Sequence, residues 1–100
     1  MDDIYNALLN FELEKKLDAD LKAYSNTCGD AAHGIFCALR LIGNLTLMAN
    51  ANEEYAAEEA KKDLFLLGAV LQHLPRMAEA LQQNSESADF VLRKRKEVSK

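Results

Sequence analysis

The sequence predicts an all-α fold: a small bundle of three to four helices around a central antiparallel helical hairpin, completed by dimerisation. Three observations carry this. First, Ala, Leu, Glu and Lys crowd out Val, Ile and Thr, and four glycines and one proline leave few places to interrupt a helix. Second, residues 31–50 (AAHGIFCALRLIGNLTLMAN) are apolar on almost every side of a 3.6-residue spiral. Third, Ala57, Ala60, Leu64, Leu67, Leu71, Leu74, Ala78 and Leu81 alternate spacings of three and four, a heptad seam suited to a shallow helix crossing.

The first helix is expected to start at Asp2 or Asp3, whose carboxylates suit a cap, and to run to about Tyr24. Tyr5, Leu9, Leu13, Leu17, Leu21 and Tyr24 form one stripe; Ile4, Leu8 and Phe11 form a second patch nearly opposite. Either the helix kinks near Asn10 and turns that patch inward, or the patch is a partner surface. Ser25 to Asp30 reads as a turn, with Gly29 suited to positive φ and Asp30 to capping the next helix.

On the central helix, Ile35, Leu39, Ile42 and Ala49 line one face. Phe36 and Leu47 flank it on one side, and Leu41, Leu45 and Met48 on the other. Only His33, Arg40 and Asn44, with Cys37 beside them, make a polar stripe. Such a helix is stable in water only when most of its circumference is covered. Asn50 followed by Glu53 resembles a capping box opening the third helix. That helix carries a second stripe, Leu66, Val70 and Met77, and Pro75 should kink it. Antiparallel pairing through this turn sets Gly34 level with Gly68, so that the axes approach closely there, and sets Arg40 near Asp63. From Asn84 onward, either a short fourth helix starts at Ser87 or the seam continues through Ser85, Ala88 and Leu92.

Residues 1–92 read as one helical domain, with a basic, frayed tail at 93–100. The tail carries net +4 and the remainder −8, giving the chain's −4. Arg93, Lys94, Arg95 and Lys96 are candidate tail contacts, but the overall acidity argues against nucleic acid. The acidic start and the shortness of the 35–48 run, which includes Arg40, suggest a cytoplasmic protein with no membrane span. Two cysteines then read as reduced thiols.

Chemistry has few candidates. His33 and Cys37 stand four residues apart on a helix, and Cys28 and His73 could extend them toward a zinc set, but paired C-x-x-C spacing is missing. A boundary histidine and a buried thiol is the preferred reading, with no metal or cofactor. Glu53, Glu54, Glu58 and Glu59 read as a solvated helix start. No phosphate-binding loop or nucleophile motif occurs. His33, with Gly43-Asn44 about ten residues on, resembles the helical hairpins of histidine-kinase dimerisation and phosphotransfer domains. That resemblance implies a phosphate-accepting histidine. The chain departs from it after the histidine, where Gly34, Ile35, Phe36 and Cys37 replace an acid and a polar residue or proline.

By elimination the function expected is a non-enzymatic interaction protein, a homodimer that binds and occludes a protein partner. Antirepressors and anti-defence inhibitors of phages and mobile elements are regulators of this kind. A phosphorelay module using His33, or a secretion chaperone, is the alternative. The apolar residues expected at an interface are Ile4, Leu8, Phe11, Leu66, Val70 and Met77.

Overall fold

The computed structural model describes residues 3–99. Two long helices make most of the molecule: α2, Asp18–Ala51, and α3, Ala57–Val98. They run antiparallel through a turn at 52–56, and the molecule measures 65 × 27 × 15 Å. A short α1, Ile4–Leu8, and a single 3₁₀ turn, Leu13–Lys15, lie as a strap on α3 at the end remote from the turn. No strand occurs among the described residues, and the all-α class stands.

Several boundaries differ from expectation. The first helix ends at Leu8 and does not reach Tyr24. Asp3 caps it, accepting from the Asn6 N–H at 3.2 Å, whereas Asp2 lies outside the described residues. The chain breaks at Asn10, whose side chain accepts from the Glu12 N–H at 2.9 Å. Leu17, expected on the buried stripe, is the exposed residue before α2.

Ser25 to Asp30 is not a turn: α2 runs straight through it, and no glycine has positive φ among the described residues. Small, polar residues serve close packing there. Ser25 is buried and its hydroxyl donates to Asp89 at 2.6 Å. The Ser85 hydroxyl donates to the Ser25 carbonyl at 2.9 Å. A Cβ on Gly29 would sit 3.2 Å from Ser85 Oγ, so α3 passes directly over this glycine. Around this crossing lies the core, with Leu13, Leu21 and Ala88 buried and Tyr24, Val91 and Leu92 packed against them.

The strap is fastened by Asn84, which is 2% exposed. Its Nδ2 donates to the Leu8 carbonyl at 2.9 Å, and its Oδ1 accepts the Asn10 N–H at 2.9 Å. One buried amide thus satisfies the two backbone groups freed where α1 stops.

α3 continues past Pro75 and past Asn84, so the seam extends in one helix and no fourth helix begins at Ser87. Residues 93–98 are its last turns, not a frayed tail. Arg95 donates to Asp18 and to the Glu14 carbonyl, both at 2.8 Å, tying the end of α3 to the start of α2. At the turn, α3 opens after Ala56 without a side-chain cap. Asn50 and Glu53 therefore form no capping box; Asn52 instead accepts from the Glu54 N–H at 3.0 Å.

Because α2 persists to Ala51, the register shifts from that expected. Ile42, Leu45 and Ala49 share a groove with Leu67, Leu64 and Ala60. Gly34 and Gly68 are not opposed, and a Cβ on Gly34, Gly43 or Gly68 would meet nothing within 4 Å. Asp63 accepts from the Tyr55 hydroxyl, and no ion pair with Arg40 forms among the described residues.

Two outcomes follow. Gly34→Ala and Gly68→Ala should each stabilise the chain by up to ~1 kcal/mol, from helix propensity alone. Gly29→Leu, forced into Ser85, should cost about 1–3 kcal/mol. Urea unfolding of the three variants checks both signs. Asn84→Ala should cost about 2 kcal/mol by removing both strap hydrogen bonds. It should also raise amide exchange in residues 4–15 well before exchange rises along α2 and α3.

Candidate functional site

The strap and the crossing cover only one half of the hairpin. Between Ile35 and Leu71 no residue is buried. Ile35, Leu39, Ile42 and Ala49, which line one face of α2, are each half-buried. The rest of this strongly apolar helix is bare.

The bare residues form a surface. Leu41, Leu45 and Met48 fall within a narrow arc of α2. Across the groove, Leu66 and Val70 lie on the adjoining side of α3, where Ile42, Asp63, Leu66, Leu67 and Val70 line a second, shallower groove. The larger groove, about 430 Å³, is lined by Ile42, Leu45, Thr46, Ala49, Leu64 and Leu67 and closed at its end by Tyr55. Two stripes that the sequence shows separately, Leu41/Leu45/Met48 and Leu66/Val70, thereby become one apolar face. Phe36, Leu47 and Phe65 are exposed around the remaining circumference.

That face continues along α3 into the strap's binding surface. Val70, Met77 and Asn84 are seven residues apart, on one side of the helix. Asp3 and Tyr5 reach Arg76, and Leu8 and Asn10 reach Asn84, so α1 covers this side of α3 from about Arg76 onward. Met77 is half-buried at the boundary, and Val70 and Leu66 lie beyond it in the open.

The other expected interface residues divide differently. Ile4 and Leu8 are half-buried on the strap while Phe11 is 85% exposed, so the three do not make one surface. Arg93, Lys94 and Lys96 are exposed, but Arg95 is engaged in the clamp described above. Asn84, which in the sequence marks only the point where the third helix's pattern becomes ambiguous, proves to be the strap's anchor.

His33 and Cys37 are both exposed, with Nε2 and Sγ 3.5 Å apart. Cys28 is buried in the same helix and His73 exposed on α3. Among the described residues no three His, Cys, Asp or Glu side chains converge as a metal would require. By length and composition alone α2 is long and apolar enough to cross a membrane, its apolar window extending beyond the 35–48 run. The turn end, however, is acidic: Glu53, Glu54, Glu58, Glu59 and Asp63 outnumber Lys61 and Lys62. No family model, curated protein or solved structure matches this chain.

The contact of α1 with α3 at the edge of the bare face includes an acid. Arg76 donates to Asp3 at 2.8 Å and holds its carboxyl below the ordinary 3.8, helped by the Asn6 N–H. A depressed carboxylate supplies stability above its unfolded value and loses it as pH falls through the folded one. The Asp3–Arg76 contact should therefore be complete at neutral pH and loosen only below 3.8. The Tyr5 ring, with Arg76 lying 4.3 Å from its centroid, reports this by NMR. Loosening near pH 6 would contradict the assignment to Asp3.

Proposed function

We propose that the chain is a non-enzymatic helical interaction protein that binds another protein through the bare apolar face at its turn end. The observation that carries the reading is the continuous exposure of Leu41, Leu45, Met48, Leu66 and Val70 around an open groove. Soluble domains rarely leave a contiguous apolar surface of this extent unpartnered. A lipid partner fits less well, because the acidic turn would have to enter the bilayer ahead of the apolar residues. The mode of action is occlusion: the protein covers the working surface of its target and excludes other ligands. Small, acidic, helix-only regulators of phages and mobile elements, including antirepressors and anti-defence inhibitors, work in this way in the cytoplasm, and the chain is of that type.

A photo-crosslinking residue placed at Leu45 or Leu66 in producing cells tests this, with Thr27 on the stem as the comparison. Protein adducts should form at Leu45 and Leu66 and be absent at Thr27. Lipid adducts alone, or equal protein labelling of the stem, would overturn the proposal.

A further inference from the structure

We infer that the occupant of the bare face is a second copy of this chain, laid antiparallel so that two hairpin ends overlap as a four-helix bundle. This rests on the binding reading above and names its partner. The first argument is continuity. Over the stem, the side of α3 that carries Met77, Asn84 and Ala88 is covered by the chain's own strap. From the strap's edge at Arg76 to the start of α3 at Ala57 the same side has no cover, a stretch about 27 Å long, some 18 residues of helix. A second hairpin end has that same length and the same apolar side, so the two surfaces satisfy each other with the self-complementarity of a two-fold interface.

The second argument is area. Leu41, Leu45, Met48, Leu66 and Val70 are 39 to 68% exposed. They present on the order of 500 Å² of apolar surface, the size of patch that marks an interface, and it forms the apolar centre of a face that a standard interface of ~800 Å² per protomer would cover. The open groove between Leu45 and Leu64 gives facing side chains a place to insert.

Charge selects the direction. In a parallel overlap the Glu53, Glu54, Glu58 and Glu59 clusters of both copies would lie together. In the antiparallel overlap the two acidic clusters lie at opposite ends of the shared stretch, so that this repulsion is relieved.

Sedimentation of the full chain at micromolar concentration is the test. The expected mass is twice 11.2 kDa. Leu45→Glu and Leu66→Glu should each weaken the dimer about tenfold or more while circular dichroism shows the helices retained. Spin labels at Glu54→Cys, in a Cys28→Ser/Cys37→Ser background, should lie about 30 Å apart in the antiparallel dimer, against less than about 15 Å in a parallel one. A monomer, a dimer indifferent to both glutamate substitutions, or labels close together would each overturn the inference. A monomer whose Leu45 crosslinks to a different protein would overturn the second copy but leave protein binding standing. A monomer that crosslinks to no protein would overturn both.

Discussion

Ser25 and Ser85 face each other across the two long helices with no large side chain between them, and that close crossing determines where everything else can go. With Gly29 directly under Ser85, the axes come together at the stem and the hydroxyls and the Asp89 carboxylate find partners across the gap. Close approach at this level leaves little volume for a large side-chain core between α2 and α3. Much of the buried set is accordingly small, namely Ala32, Ala78, Ala80 and Ala88, and the bulk needed to exclude water comes from Leu21 at the edge of the crossing and from the strap through Leu13. The stem is thus a three-layer structure made by two helices and an irregular segment. Toward the turn, the same two helices have larger residues between them, an open groove, and no third layer.

Polar groups locate the strap and apolar groups seal it. Asn84 offers one donor and one acceptor to the two backbone groups that the end of α1 exposes. Arg76 holds the first residues and Arg95 the last, at Asp3 and at the Glu14 carbonyl respectively. Hydrogen bonds of this directional kind fix position more than they add free energy. Removing one should shift the strap and expose more of α3, enlarging the apolar surface rather than unfolding the hairpin.

Much of this was legible in the sequence. Helix content and the antiparallel hairpin follow from periodicity and composition, and the two-faced pattern of residues 4–11 allows, among its alternatives, a change of direction near Asn10. Ser25 to Asp30 misled because Ser, Asn, Gly and Asp favour turns and also suit close helix packing, and only the partner helix distinguishes the two uses. The register is ambiguous in the sequence for a similar reason. Asn50 and Asn52 are equally good punctuation, and choosing the wrong one slides Gly34 and Gly68 apart by more than a turn. Asn84 was hidden by its type: an amide in a heptad row looks like a fading seam unless the strap's free backbone groups are known. The joining of Leu41, Leu45 and Met48 with Leu66 and Val70 into one face depends on that same register.

The strap's fastenings also set an order on how the chain can be made. Asn10 meets Asn84 across 74 residues of sequence, and Glu14 meets Arg95 across 81. During synthesis the strap emerges first but has nothing to hold until nearly the whole of α3 has followed. The turn and its flanking helices, by contrast, can pair as soon as the first part of α3 leaves the ribosome. The apolar hairpin end is therefore formed and exposed while the stem is still open. A nascent chain meets its neighbours on the same messenger with that surface foremost.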